Sequence, residues 1–526
     1  MKYYPIHTHL HCSHEPTASI GSHMSHCKEL GIAHMWTTEH DTRMGRKKKY
    51  LPEFRFLEKT LFVEFPNGAK AGFREEESDG NYAFEETNAE ISLCIEAEKN
   101  ERESLLFHSK GKAHSDPLFS RLTVELEADI TLKRSGQVCI EFVLSAQPPT
   151  YQQARLCYVL GGIPTEKTDE PVQYLPFPEK QDERYVFNLA EDVGEEIGGL
   201  DNALCNIRLI AENGGRILFK ALHFKRVFNF EQVRQEQKKL VEQLGKKWGV
   251  KGFVGFEITG AGNHKNCFST IVPVIDYEAH DYKVNNEQAI EYIKKHNGIF
   301  SWNHPFTAYL KSKKSKQEIF EELALELIQT RVHGASLMEV GFPFGRDNFE
   351  AKDYLRLWDR LSEKGIMITG NGDSDNHHAV AEGWTEGNNF CSFAGFDENE
   401  PPTEENFVKA FRRGSLWAGN PVVIKNLSFT GDGKEQGSLI RGRQVCVEFS
   451  ATDIQCEGYA VCISNGKEIK RVPIENGTVA GNWVLSCEQT YNFARVEIYN
   501  DEDILIAFSN PIYLVGENTE IKERRE

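Results

Sequence analysis

The spacing of apolar and polar positions divides the chain into three kinds of segment. The first 40 residues read strand, helix, strand. "YYPIHTHL" has strand character, "ASIGSHMSHCKELG" is helix-like and stops at Gly31 in a C-cap position, and "IAHMWTT" is a second strand followed by "EHDT". Alternation of this type predicts an α/β unit with parallel strands. From about residue 68 to 229 a period of two takes over. "AEISLCIEAE" sets Ala89, Ile91, Leu93, Ile95 and Ala97 on one face, and "RLTVELEADITLKR" does the same with Leu122, Val124, Leu126, Ala128, Ile130 and Leu132. Such strands separated by polar turns predict a β-sandwich. "FEQVRQEQKKLVEQLGKKWG" then reads as a helix with Gly245 near its end. The strands "KGFVGFEIT", "GIFSWNHP", "GASLMEVG" and "IMITGNGDSDNHH" follow, interleaved with the helices "SKQEIFEELALELIQT" and "FEAKDYLRLWDRLSEKG". Short alternating strands return from about 421. The expected fold is one α/β barrel-like domain made of 1–67 and 230–420, interrupted by an inserted β-sandwich at 68–229. A small immunoglobulin-like β domain at 421–526 follows it.

Composition narrows the functional classes. A chain of 526 residues is too long for one core, and 27% charged with 40% hydrophobic residues is ordinary for a globular protein. The net charge of −18 disfavours nucleic acid or an anionic membrane as the main partner. No apolar run approaches the roughly 18–20 residues of a membrane helix. No apolar stretch precedes the first histidines, and the 12 cysteines are scattered. Reduced thiols and a cytoplasmic location are therefore expected.

The chemistry concentrates where strands end. "HTHLHCSH" packs four imidazoles into eight residues, His7, His9, His11 and His14. Residues two apart in a strand share a face, so His7 and His9 fall side by side, an arrangement that a metal ion relieves. In α/β barrels the site lies at the carboxyl ends of the strands. There the chain places His40 in "TTEHDT", Glu257 in "GFEIT" with His264 beyond it, His304 in "NHP", and Asp375, His377 and His378 in "GDSDNHH".

This ordered set resembles the successive motifs of the polymerase and histidinol phosphatase (PHP) family, whose usual forms are H-x-H, T-D-H, G-x-E, H-P and S-D-x-H. The resemblance covers about 1–65 and 233–420. It implies a distorted (β/α)7 barrel carrying two to three divalent ions, zinc, manganese or iron, at its mouth. It further implies His7, His9 and Asp375 as ligands of a first ion and Glu257 as a bridge to a second held by His264 and His304. His14, His40 and His377 would form a third site. The departures fall at that third site: many members have Asp where His14 stands, and T-D-H is T-E-H here, with Glu39. Glu15 and His11 are alternatives to His14. The turn "GSLWAGNPVVIKNLSF" and the closing "AFSNPIYL" are similar to the carbaryl-hydrolase-like branch, which also carries a β domain after its barrel.

The chemistry so implied is hydrolysis by a metal-activated water, most simply of a small phosphorylated or phosphodiester compound. His378 or His11 would protonate the leaving group. Arg43 would balance charge on the transferred group; it opens a basic cluster with Arg46, Lys47, Lys48 and Lys49 that either steers an anionic substrate or is a solvated loop. The alternatives are a non-phosphate metallohydrolase cutting a carbamate, ester or amide, and a non-catalytic scaffold stabilised by metal. The inserted β domain resembles a jelly-roll carbohydrate-binding module, so it is expected to bind a carbohydrate moiety or to serve as a lid.

Overall fold

The structure is a computed structural model that describes residues 1–12, 17–41, 53–57, 60–64, 70–72, 82–86, 91–108, 126–162, 169–180, 182–226, 230–268, 272–275, 280, 284–309, 312–341, 349–378 and 390–521. It is a mixed α/β protein with several sheets. Strands Lys2–Leu10, His34–His40 and Lys251–Ile258 run parallel, as do Phe300–Trp302, Leu337–Gly341 and Thr369–Gly372. The short strand Lys265–Cys267 joins the two sets, antiparallel to both neighbours. Beyond Thr369–Gly372 the chain returns to the first strand through a parallel bridge from Leu10 to Asn376. The two ends of the parallel set therefore meet, and their carboxyl ends share one mouth.

Local signals explain the helices. Helix Ile20–Leu30 starts on a Ser19–Ser22 capping box and stops at Gly31, whose φ of 76° suits a residue without Cβ. Helix Phe230–Trp248 runs through Gly245 and ends before Gly249, which has the left-handed φ of 73° that a helix stop requires. Helix Asn286–Lys295, absent from the sequence expectation, has an Asn285–Gln288 capping box.

The inserted β unit is built on two long antiparallel partners, Leu126–Gln147 and Leu204–Arg226. Their pairing slips between Glu212 and Arg216, where a Cβ on Gly215 would meet the Gln137 carbonyl at 1.9 Å. That bulge lets the strands bend around a core of Leu93, Ile95, Ile130, Phe142, Phe187 and Leu209. The unit begins earlier than the change of pattern at about 68. Strand Glu53–Leu57 already pairs with Leu204–Arg226, and Thr60–Glu64 pairs with it in turn. At the other end, Gln444–Thr452 alternates buried and exposed at every position in a four-stranded sheet with Asn426–Gly431, Lys434–Glu435 and Val479–Ser486. The C-terminal unit is continuous with the α/β sheet, because Leu416–Gly419 pairs with both Cys391–Phe396 and Leu505–Ser509. Among the described residues no helix is long and apolar enough to cross a membrane.

Candidate metal centre

Among the described residues, five strand ends and their loops deliver eight ligand-type side chains to the mouth. His9, His11 and Glu257 form one group whose ligand atoms lie within 4.8 Å of one another. His9, His304 and Asp375 form a second, Glu257, His264 and His304 a third, and His11, His40 and His377 a fourth. Shared members fuse the groups into one cluster. Glu257 Oε1 lies 3.3 Å from His9 Nε2, 3.1 Å from His264 Nδ1 and 3.4 Å from His304 Nε2. Its Oε2 lies 2.9 Å from His40 Nδ1. Asp375 Oδ1 lies 3.1 Å from His11 Nε2 and 3.3 Å from both His9 Nε2 and His377 Nε2. The His11 ring sits between those of His40 and His377, at 4.1 and 4.3 Å.

The alternation argument pairs His9 with His7, whereas the structure groups it with His11. His9 Nε2 and His11 Nε2 are 3.1 Å apart, while His7 is in none of the four groups; its Nε2 meets Ser374 Oγ at 2.7 Å. The pairing of the first strand with His34–His40 is irregular between His7 and Leu10, and His7 lies one pleat farther from the mouth. His11, expected as a proton donor, is instead grouped with the candidate ligands. His378 is exposed at the rim, with its ring against Thr17 Oγ1 and its N–H donating to Asn376 Oδ1 at 2.6 Å. His14, Glu15, Arg43 and the basic cluster after Arg43 lie outside the described residues.

A supporting layer escaped the sequence reading. Glu339, fully buried on Leu337–Gly341, accepts from His9 Nδ1 at 2.5 Å and from the His304 backbone N–H at 2.6 Å. Asp373 Oδ1 accepts from the Thr8 N–H at 2.9 Å, and Asn303 Nδ2 donates to Glu257 Oε1 at 2.9 Å. Glu39, the residue that departs from T-D-H, accepts from the Cys12 N–H at 2.7 Å and so holds the loop that follows His11. A carboxylate one residue before a strand-end histidine, or within a buried strand such as "LMEVG", was the available signal. His304 and Asp375 have φ values of 25° and 48°, left-handed conformations that surrounding contacts must impose.

These residues suit a cation. With Nδ1–H donated to Glu339, His9 Nε2 carries a bare lone pair. That lone pair faces His11 Nε2, Asp375 Oδ1 and Glu257 Oε1, all acceptors, so something positive must lie between them. Similarly, His40 Nδ1 and Glu257 Oε2 are 2.9 Å apart without forming a hydrogen bond, as expected of two ligands aimed at a common point. A proton is the other way to satisfy the cluster. Burial opposes the imidazolium of His9, yet Glu339, Asp375 and Glu257 hold its pKa well above the usual histidine range. Burial likewise opposes the Glu257 carboxylate, but His264 and His9 keep its pKa well below the ordinary value. His11 goes the other way: burial, then His40 and His377, pushes its pKa well down, leaving it a neutral ligand. A cavity of about 420 Å³ adjoins the cluster, lined by His40, His264, His304, Asp375 and His377 among others, which is room for a small molecule.

No family model matches the chain, and no curated protein matches it. Solved structures give faint likenesses. Xylanase 10C from Cellvibrio japonicus in complex with xylopentaose has 7% identity over 57% of this chain and 64% of that one, at a TM-score of 0.18. An endo-β-1,4-mannanase from Thermotoga petrophila has 10% identity over 55% and 62%, at 0.14. Bacteroides uniformis β-glucuronidase 2 has 10% identity over 84% and 62%, at 0.15. The chain spans about three fifths of the length of these structures, and at such TM-scores they assign neither fold nor activity.

Proposed function

We propose that the chain is a PHP-type metallohydrolase that cleaves a small phosphorylated or phosphodiester compound, with two to three divalent ions in the mouth of its α/β unit. The observation that carries this reading is the fused, buried cluster of six histidines, one glutamate and one aspartate, assembled from strand ends in the order of the family's motifs. Imidazole nitrogen with carboxylate oxygen suits zinc, manganese or iron. Such ions, when bound, supply an activated water and charge compensation for the phosphoryl group. The chain's own residues do the rest. Glu257, reaching five histidines, would bridge ions; Glu339 and Asn303 fix the ligands' orientation; His377 and His264 face the cavity where substrate would enter. His378, at the rim, is the remaining proton donor for the leaving group.

The test is elemental analysis of the purified protein together with hydrolysis of aryl phosphate, diaryl phosphate, aryl acetate and aryl carbamate with one common leaving group. Bound metal with preferential phosphate cleavage is expected. Faster cleavage of the carbamate or acetate would replace this reading with the non-phosphate metallohydrolase. Bound metal with no cleavage of any of the four would leave the metal-stabilised scaffold, and protein that neither holds nor takes up metal would refute all three readings.

A further inference from the structure

A second cavity, of about 90 Å³, lies at the opposite ends of the strands that carry the candidate metal centre. Residues Ile366 to Thr369 line it, and Asp375 follows the far end of the same strand, about 13 Å away for four extended residues. Three arginines, Arg331, Arg412 and Arg413, line it, and none of its lining residues is Asp or Glu. That is notable in a chain of net charge −18. Among the described residues neither Arg412 nor Arg413 has a carboxylate partner, and Arg412 donates only to the Asn297 carbonyl, at 3.3 Å. Ser336 Oγ, also in the lining, is buried and makes no hydrogen bond among the described residues.

The backbone around Arg331 is costly. Arg331, Val332 and His333 have φ values of 50°, 49° and 51° in succession. Arg331 caps helix Lys316–Thr330 where glycine is the usual choice, and a β-branched residue in this region is rarer still. Runs of this sort persist where the surroundings hold them, and they gather at ligand clamps.

We propose that this cavity is an oxyanion site, taking a phosphate or carboxylate group between the guanidinium groups with the Ser336 hydroxyl as a further donor. Guanidinium is the side chain suited to forked hydrogen bonds with such groups, and the volume suits one small anion or one charged end of a larger one. The site is separate from the metal centre and does not depend on it.

The experiment is calorimetric titration of the full chain with inorganic phosphate, and separately with acetate, after metal has been removed with a chelator so that the mouth does not compete. Saturable binding to the wild type is expected, weakened about tenfold or more by Arg412→Ala or Arg413→Ala and again by Ser336→Ala, and weakened by added salt. The arm that binds more tightly names the anion as phosphate or carboxylate. Both arginines are exposed, so their variants should fold, with thermal melting as the check. Absence of binding to the wild type up to about 10 mM of either anion, or binding indifferent to the arginines, would overturn the proposal.

Discussion

Replacing Glu339 by Gln tests whether the cluster is a metal site held from behind. Each Glu339 oxygen serves one donor: Oε1 takes His9 Nδ1–H at 2.5 Å and Oε2 takes the His304 N–H at 2.6 Å. Glutamine keeps the shape but offers one oxygen and one NH2 group. Whichever way it turns, one of the two donors faces another donor. An unmet buried donor costs about 1–3 kcal/mol, and loss of a ligand's outer hydrogen bond usually weakens metal binding about 10–100-fold, or about 1.4–2.8 kcal/mol. The two ranges coincide, so the single lost contact accounts for the whole expected effect. The assay is competition for zinc between the protein and a chromophoric chelator, with circular dichroism to confirm the fold. If His9 loses its fixed tautomer, Nε2 carries a proton part of the time, and the apparent affinity should also become more sensitive to pH than in the wild type. Unchanged affinity and unchanged pH sensitivity in folded Glu339→Gln protein would refute the positioning role.

Three further outcomes follow from the same geometry. His11→Ala should lose bound metal and hydrolysis while His7→Ala keeps its metal content, as elemental analysis of both variants would show; equal metal content in the two would restore the alternation argument. Arg495, fully buried between Asp359 and Glu497, joins the C-terminal unit to helix Ala351–Ser362, and Arg495→Ala should cost about 3–5 kcal/mol in urea unfolding because it strands two buried carboxylates. His34 is buried against the Pro5 carbonyl, and burial pushes its pKa down from 6.5 to about 4. The unfolded chain therefore takes up a proton first, so stability is full above pH 6.5 and is lost between 6.5 and 4, by about 3 kcal/mol in all. His34→Phe should remove that part of the acid lability, which melting temperatures across this range would show.

What the sequence makes legible is residue type at strand ends. Seven of the nine ligands expected from it, His9, His40, Glu257, His264, His304, Asp375 and His377, come together in the structure. They were legible because a strand's carboxyl end is marked by where its apolar run stops, and ligand-type residues just past that point have few other reasons to be there. The choice between His7 and His11 was not legible. Period two puts all three histidines on one face, and only the position of the mouth along the strand, set by partners such as Asn376, decides which pair reaches it. Glu339 was hidden for a related reason: a lone carboxylate inside a buried strand acquires meaning only when another strand brings His9 against it. The start of the inserted unit was misplaced because "EFRFL" and "TLFVE" suit either sheet, and the partner of the first, at Ala221 to His223, lies about 170 residues away in sequence.

The inserted unit contributes none of the eight clustered residues, yet it is tied to the mouth. Helix Ile20–Leu30 has no acidic residue in its first turn, and its first two free N–H groups, of Ile20 and Gly21, donate to Asp201 of the insert at 3.0 and 2.6 Å. Asp201 thus supplies the negative charge that a helix start favours, from a residue far along the chain. The space at Gly21 fits that purpose, since a Cβ there would lie 3.0 Å from Asp201 Oδ2. Tyr151 of the insert adds a second tie farther along the same helix, donating to Ser25 Oγ at 3.0 Å. This helix begins directly after the loop that follows His11, and Thr17 in that loop touches His378. The contacts from the insert thus reach the candidate metal centre's rim through a capped helix. The insert is thus hydrogen-bonded to the helix beside the clustered residues while supplying none of them, so any effect it has on the site is one of position.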